Sequence, residues 1–189
     1  KFKIFILWVI ESLFIQFADK YITVSPLISR EYEKVYGINK FQVVMNVPNY
    51  EEITPNNYLR TKFNIPENRK IYLFAGLLSV GRDLENIMRT FEIHMKNEEA
   101  DLVIMGFGPM TKEVKLCVKK CYNIHFHEAI SPDNLVKCSS SADFGIVGGE
   151  PDVCLSFDFS LPNKLFTYMM AEIPIICACL PEMKNFVQQ

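Results

Sequence analysis

The stretch "IYLFAGLLSVGRDLENIMRTF", residues 71–91, decides the fold. Its first six residues form a continuous apolar run, which is typical of a strand buried on both faces of a parallel sheet. The apolar residues that follow recur with helical spacing and predict an amphipathic helix: Leu84, Ile87, Met88, Phe91 and Met95. A buried strand followed directly by such a helix indicates an α/β domain with parallel strands.

This strand-and-helix unit repeats towards the C-terminus. Further strands are predicted at 101–106, 124–129, 143–149 and 174–180, and further helices at 111–122, from Ser131 onward and at 161–172. Parallel strands joined by helices need right-handed crossovers, so helices should cover both faces of the sheet. We therefore predict a Rossmann-like, doubly wound parallel sheet over residues 67–189, truncated at its C-terminus.

Residues 1–55 indicate the end of a preceding domain of similar style. A predicted strand at 21–25 leads into Ser25 and Pro26, which suit the N-cap and first position of a helix that Gly37 ends. A second strand is predicted at 41–48. The polar stretch after it, rich in Asn, Glu and Pro, predicts a linker at 56–66. Because the chain starts at Lys1, we expect a fragment of a longer protein.

The charge balance gives no reason to expect a nucleic-acid partner, because 20 basic and 22 acidic residues leave a formal net charge of -2. The 6 cysteines follow no tight metal-binding spacing. We interpret them as reduced thiols of a cytosolic protein, with a zinc or redox role as the alternative.

An apolar segment at 2–17 is the part of the chain that suggests a membrane. It is interrupted by Glu11, Ser12 and Gln16 and is too short to span a bilayer. We predict a buried helix there, with an interfacial helix as the alternative.

Ligands of parallel sheets bind at the carboxyl ends of the strands, where loops lead into helices. In the loop after the first long strand, Gly76 ends the strand and Arg82 is expected in the first helical turn, where its charge suits a phosphate. In the loop at 104–110, Gly106 and Gly108 allow close backbone approach. Thr111 fills the third glycine position, so a complete dinucleotide fingerprint is absent.

Two histidines, His125 and His127, alternate onto one face of a predicted strand and raise the question of a metal pair. No clear third ligand accompanies them, and we predict no metal. The preferred interpretation is a strand end at which Glu128 and Ala129 border a ligand pocket.

The stretch "SLPNKLF", residues 160–166, predicts a helix start that binds an anion. Ser160 is expected to cap the helix, and Pro162 fits a first turn whose N–H groups lack partners. Three amides should then point outward, those of Leu161, Asn163 and Lys164. With the Lys164 ammonium and Arg82 opposite, they would form a phosphate cradle. An ordinary capped helix is the alternative.

Six segments keep a specific order and spacing between residues 18 and 183. They are "ADKYITVSPLISREY", "NVP", "FAGLLSVGRDLENIM", "LVIMGFGP", "NIHFHEAISPDNLVKCSSSADFGIV" and "SLPNKLFTYMMAEIPIICACLPEM". Together they resemble the donor-binding half of a GT-B glycosyltransferase and are most similar to glycosyltransferase family 4. The resemblance implies two Rossmann-like domains, a UDP- or GDP-linked sugar donor, retention of anomeric configuration and no cofactor or essential metal.

The resemblance also implies two sets of site residues. It assigns the donor diphosphate to Arg82, Ser160, Leu161, Asn163 and Lys164. It assigns the nucleotide and its ribose to Gly76, Gly106, Gly108, Glu128 and Thr167. No catalytic residue can be named from it.

Several positions depart from the family pattern. Leu77 stands where the family often has a second basic residue. Phe159 and Thr167 stand where many members have two glutamates, so the usual bidentate contact to a ribose diol is in doubt. Glu172 replaces a glycine and must fit a tight helix-to-strand turn. Acidic residues of the preceding loop are alternative sugar contacts: Glu150, Asp152 and Asp158.

The resemblance thus implies a piece of a hexosyltransferase-like enzyme, inactive as an isolated fragment, that builds a surface polysaccharide or glycoconjugate on a glycan or lipid-linked acceptor. We expect it in the cytoplasm, with peripheral association at the inner face of the membrane left open. Two alternatives remain: a non-catalytic nucleotide-sugar-binding or partner subunit, and a nucleotide-sugar epimerase of the same architecture.

Overall fold

The computed structural model describes residues 2–188. The helices are α1 (Phe2–Phe14), α2 (Pro26–Tyr36), α3 (Tyr58–Phe63), α4 (Leu84–Ile93), α5 (Thr111–Val118), α6 (Pro132–Ser139), α7 (Leu155–Asp158), α8 (Asn163–Met170) and α9 (Pro181–Val187). The strands are β1 (Tyr21–Thr23), β2 (Phe41–Val43), β3 (Lys70–Leu77), β4 (Ala100–Phe107), β5 (Ile124–Glu128), β6 (Phe144–Val147) and β7 (Ile175–Cys177).

Strands β3 to β7 form one parallel sheet in the order β5-β4-β3-β6-β7. The chain builds the sheet outward from β3 in one direction and then returns to add β6 and β7 on its other side. This reversal creates a switch point between β3 and β6, where open α/β sheets bind their ligands. The predicted doubly wound fold class is confirmed.

Helices cover both faces of this sheet, as predicted. Ile71, Leu73 and Ala75 point to a core shared with α3, α6, α8 and α9, whereas Phe74 points to a core shared with α4 and α5. The alternation follows from the strand pleat, which turns successive side chains to opposite faces. Each large apolar side chain buried this way contributes about 1.5–3 kcal/mol relative to an exposed one.

Tyr168 of α8 closes a gap at the switch point. Strands β3 and β6 pair only at Tyr72↔Phe144 and Leu73↔Gly145. The buried Tyr168 hydroxyl donates to the Leu73 carbonyl (3.1 Å) and accepts from the Ala75 N–H (2.8 Å). Burial raises the pKa of this phenol, so it stays protonated and able to donate. The hydroxyl therefore forms hydrogen bonds with backbone groups of β3 at and beyond the point where the pairing of β3 with β6 ends.

Residues 18–43 contact the domain through the start of α2. The Ser25 hydroxyl donates to the Phe159 carbonyl (2.5 Å), and the Leu27 N–H donates to a carboxylate oxygen of Glu182 (3.1 Å). Ser25 caps α2, and Gly37 ends it in the left-handed conformation, as predicted. The parallel pair β1–β2 lies beside this helix.

The prediction of a buried helix at 2–17 is wrong within the described residues. The helix α1 forms, but its apolar side chains are exposed, with Leu13 at 62% and Phe14 at 66%. No element in residues 2–188 covers that face, and apolar patterning alone does not say what a helix packs against. None of the helices described in this range has the length and apolar character that crossing a bilayer requires.

A short helix, α3, lies inside the stretch predicted as a linker. Leu59 of α3 is fully buried in the core shared with α8. Asn56 ties the start of the stretch to α6, donating to the Lys137 carbonyl at 2.8 Å. Leu59 is the one residue of α3 that is buried, so the sequence here has no apolar periodicity that would predict a helix. The domain boundaries themselves remain predictions.

Candidate anion-binding site

The predicted phosphate-binding residues meet at the carboxyl edge of the sheet. Gly76 of β3 pairs with Gly106 of β4, and the Lys164 side chain of α8 lies over Gly76. Arg82 lies in the turn between β3 and α4, at the same edge of the sheet. The topology thus brings together residues that are far apart in sequence, since Gly106 lies 30 residues after Gly76 and Lys164 lies 58 residues after Gly106.

The glycines at this edge are needed for contact between the strand ends. Gly106 has φ 151°, and a Cβ placed there would lie 1.9 Å from the Gly76 carbonyl oxygen. A Cβ on Gly108 would lie 2.3 Å from the Leu78 carbonyl oxygen. The Gly108 N–H donates to the Thr111 hydroxyl (3.0 Å), so this amide already has a partner. Backbone packing explains these glycines before any ligand is considered.

Lys164 is a buried cation without a hydrogen-bond partner. Its Nζ has no acceptor within residues 2–188 and lies 3.6 Å from the centre of the Phe74 ring. Burial, with a smaller contribution from the Arg82 charge, lowers the pKa of this amine to about 7. Buried ammonium groups normally have a charged or hydrogen-bonding partner. An anion at this edge would supply that partner.

Arg82 lies before α4 rather than in its first turn, which corrects the prediction. Asp83 is the N-cap residue, with a left-handed φ of 59°. The Arg82 guanidinium stacks 4.9 Å from the centre of the Phe157 ring, and its Nε is buried without a partner. A Cβ on Gly148 would lie 2.4 Å from the Arg82 carbonyl oxygen, so the glycine lets this turn approach β6.

The start of α8 differs in detail from the prediction. Pro162 is the N-cap residue, and Ser160 makes no capping bond; its hydroxyl contacts the Phe157 carbonyl at 3.3 Å. Pro162 therefore lies one position outside the helix, and Ser160 is too far back to reach its first N–H groups. Among the described residues, no backbone acceptor takes three amides: those of Leu161, Asn163 and Lys164. These N–H groups are free to bind an anion.

A small cavity borders Arg82 and the residues that precede α8. It has a volume of about 10 Å³, lies next to Gly149, Ser160 and Pro162, and has room for about one water molecule. Phe157 of α7 closes it, because its ring covers both Gly81 and the guanidinium. A wider groove of about 320 Å³ beside α6 contains none of the predicted donor-binding residues. Phe157 therefore limits access to Arg82 through this cavity.

The residues predicted to contact the nucleotide and the sugar differ in whether their side chains are accessible to a ligand. Glu128 ends β5, pairs with Gly106 and is exposed. Thr167 is buried, and its hydroxyl donates to the Asn163 carbonyl (3.1 Å), so it is not presented to a ligand. Of the three acidic loop residues, Asp158 is buried and accepts from the Asp152 N–H at 3.3 Å.

Both histidines of β5 have protein partners. His125 Nε2 lies 2.7 Å from a carboxylate oxygen of Asp101, and His127 Nε2 lies 2.8 Å from the Tyr58 hydroxyl. These contacts fix the rings in the fold and leave no paired nitrogens for a common ligand.

Phe157, Phe74 and Gly148 are site residues that the sequence interpretation missed. Phe74 was counted only as a core residue of β3, and Phe157 as part of an acidic loop. The adjacent Gly148 and Gly149 after a predicted strand were the available signal, since paired glycines at a strand end indicate close approach of another backbone.

No protein-family model matches the sequence, and no curated protein matches it. Among solved structures, Anabaena Alr3699/HepE in complex with UDP and glucose superimposes with a TM-score of 0.76 at 14% identity, over 97% of this chain and 50% of that chain. WaaG, a glycosyltransferase involved in lipopolysaccharide biosynthesis, gives 0.67 at 15% identity over 89% and 46%. Sucrose-phosphate synthase from Thermosynechococcus elongatus gives 0.72 at 16% over 95% and 45%.

The chain therefore spans about half the length of these structures. At 14–16% identity the similarity is evidence for the fold and not for a shared reaction. The chain has the Rossmann-like α/β fold of the donor-binding half of GT-B glycosyltransferases.

Proposed function

We propose that this chain is the donor-binding half of a glycosyltransferase that takes its sugar from a UDP- or GDP-linked donor. The observation that carries the proposal is the pair of buried, unpartnered cationic groups, Lys164 Nζ and Arg82 Nε, beside the free amides of α8. They lie at the switch point of the sheet, where this fold class binds nucleotides. A diphosphate supplies the charge and the acceptor oxygens that these groups lack.

The same groups would assist sugar transfer. When the glycosidic bond to the donor breaks, the nucleoside diphosphate leaves with increased negative charge. Arg82, the α8 amides and a protonated Lys164 would stabilise that charge most strongly in the transition state. Because the Lys164 amine has its pKa near neutrality, an arriving phosphate would draw a proton onto it. This chemistry requires no metal ion.

Further details of the proposal come from the family resemblance and the neighbours. We assign the parent protein to family 4, with retention of anomeric configuration and a glycan or lipid-linked acceptor. Among the structural neighbours, WaaG is involved in lipopolysaccharide biosynthesis and HepE binds UDP and glucose. Six cysteines without a disulfide in the described residues agree with a cytoplasmic location. The exposed apolar face of α1 would suit contact with the inner membrane surface.

A non-catalytic nucleotide-binding subunit is the second candidate. Thr167 replaces a family glutamate, and its hydroxyl is committed to the Asn163 carbonyl. Phe159, at the other glutamate position, carries the backbone carbonyl that binds Ser25. A chain that kept the diphosphate cradle and lost both sugar and ribose contacts would bind nucleotide without transferring sugar. An epimerase of the same architecture would instead act on a nucleotide-sugar without any acceptor.

Calorimetric titration with UDP, GDP and their sugar conjugates tests the proposal. We expect saturable binding with a preference for one base, weakened about tenfold to hundredfold in Arg82→Ala and Lys164→Ala, because each removes a charged hydrogen bond. Arg89→Ala and Lys112→Ala, which change exposed residues of α4 and α5, are the matched controls. Titration at pH 8 in buffers of different ionisation enthalpy should reveal proton uptake that Lys164→Met abolishes.

Binding that Arg82→Ala and Lys164→Ala leave unchanged would contradict the position of the cradle. Absence of binding to every nucleotide would contradict donor binding by this chain. Sugar release to water or acceptor by the parent protein separates a transferase from a binding subunit, and conversion of the donor sugar alone would indicate the epimerase.

A further inference from the structure

A pair of thiols and a carboxylate meet between α4 and α5, away from the candidate anion-binding site. Cys117 lies near the end of α5, Cys121 in the turn after it, and Glu92 near the end of α4. Their two sulfur atoms and a carboxylate oxygen all lie within 4.8 Å of one another. In residues 2–188, this is the one set of three His, Cys, Asp or Glu side chains with such compact ligand atoms.

The backbone holds these side chains together. The Cys121 N–H donates to the Cys117 carbonyl (3.1 Å), which extends the helical path and puts both thiols on the same side. The buried Asn123 side chain, which directly precedes β5, donates to the carbonyls of Phe91 (3.0 Å) and Met95 (3.3 Å). These bonds hold the C-terminal end of α4, where Glu92 lies. The cluster therefore belongs to the packed domain and not to a loose surface loop.

We propose that Glu92, Cys117 and Cys121 bind a thiophilic divalent cation of the Zn²⁺ class. Thiolate and carboxylate are the ligand types such a cation prefers, and bonds of about 2.0–2.3 Å place tetrahedral ligand atoms about 3.3–3.8 Å apart. The widest separation in the cluster must close by about 1 Å for this geometry. Glu92 is exposed, so its side chain can rotate to do so and water can occupy the fourth position.

The site would act as a clamp and take no part in sugar transfer. Helices that follow parallel strands run back along the sheet, so the ends of α4 and α5 lie at the edge opposite Lys164 and Arg82. A cation there would join the two helices that cover one face of the sheet. Binding replaces two thiol protons, so each cation bound releases two protons to solvent and no electron transfer occurs.

Titration of the reduced chain with Zn²⁺, and with Cd²⁺ as a spectroscopic probe of thiolate bonds, tests this inference. We expect one cation per chain, an ultraviolet sulfur-to-cadmium charge-transfer band and a raised melting temperature. Cys117→Ser and Cys121→Ser each remove one sulfur–cadmium bond. Each variant should show a weaker charge-transfer band and bind the cation at least about tenfold more weakly. Glu92→Gln should weaken binding while keeping both thiols.

Cys154→Ser and Cys179→Ser remove exposed thiols outside the cluster and serve as matched controls that should bind like the parent chain. Absence of binding, or equal binding in cluster and control variants, would mean that the cysteines only pack against their neighbours and would overturn the inference. Glu92→Gln keeps the test decisive if a cysteine variant fails to fold, because it changes an exposed side chain. Nucleotide binding is measured separately, so each proposal can fail alone.

Discussion

Two buried charges lie at opposite edges of the same sheet and differ in what surrounds them. Asp101, near the start of β4, has one carboxylate oxygen bound by Arg69 Nε and the other 2.7 Å from His125 Nε2. Lys164, over the carboxyl end of β3, has no partner for its Nζ in the described chain. At one edge the buried charge is paired within the protein, whereas at the other edge the described residues provide no partner for it.

The pKa directions follow from this difference. Burial alone raises the pKa of Asp101, but hydrogen bonds and charge from His125 and Arg69 outweigh it and hold the pKa below its usual value. Burial, together with a smaller contribution from the nearby Arg82 charge, lowers the pKa of Lys164 to about 7. A satisfied buried charge is part of the fold, whereas an unsatisfied one is a candidate for function.

The largest expected effect comes from breaking the ion pair of Asp101. Asp101→Asn leaves the Arg69 guanidinium without its carboxylate, and we expect the free energy of unfolding at pH 7 to fall by about 3–5 kcal/mol. Urea denaturation followed by circular dichroism measures the change. Asp19→Asn, at an exposed aspartate, is the control.

The pH dependence gives this prediction a second test. Because the pKa of Asp101 is lowered on folding, its contribution is present above the pKa of an unfolded aspartate and is lost as pH falls towards the lower folded value. The free energies of unfolding of the parent chain and of Asp101→Asn should therefore become equal as the pH falls. A difference that stayed constant down to pH 2 would contradict the role given to this carboxylate.

Replacing Lys164, the buried charge without a protein partner, should change the stability in the opposite direction. Lys164→Met removes a buried amine without a partner, and we expect the chain to gain about 1–3 kcal/mol of stability at pH 7 while its nucleotide binding weakens. The folded pKa of about 7 lies below the usual value of 10.5, so the parent chain becomes more stable as pH rises through this window. The advantage of Lys164→Met should shrink over that range.

Lys112→Met, at an exposed lysine of α5, is the control and should show no such pH dependence. Destabilisation by Lys164→Met would indicate that the amine has a partner in solution and that the contrast with Asp101 does not hold.

The sequence was sufficient for the fold because its signals are local. The continuous apolar run of β3 predicts a buried strand, and the helical spacing of apolar residues in α4 predicts which of its faces is buried. Both patterns can be recognised within a few residues of sequence. Glu172 is a further local success, since it has the left-handed φ of 57° that the predicted helix-to-strand turn requires. The four-residue helix α7 was not predicted, because an element this short has no periodicity to detect.

The candidate site was only partly predictable. Strand order brings Arg82 and Lys164 to one edge, and that follows from topology alone. The stacking of Lys164 on Phe74, and of Arg82 on Phe157, depends on how α7 and α8 pack against the sheet. No local pattern in the sequence carries that information.

The smallest expected effect concerns Phe157, whose ring lies against Arg82 at the candidate anion-binding site. The ring stacks on the Arg82 guanidinium and covers Gly81, and it limits the access of a diphosphate to Arg82. A partly exposed cation–π contact of this kind contributes about 0.5–1 kcal/mol, so Phe157→Ala should strengthen UDP or GDP binding about twofold to fivefold. Leu155→Ala, at an exposed residue of the same helix, should leave the affinity unchanged. Weaker binding in Phe157→Ala would instead show that the ring forms part of the nucleotide site and that its stacking on Arg82 helps to hold the ligand.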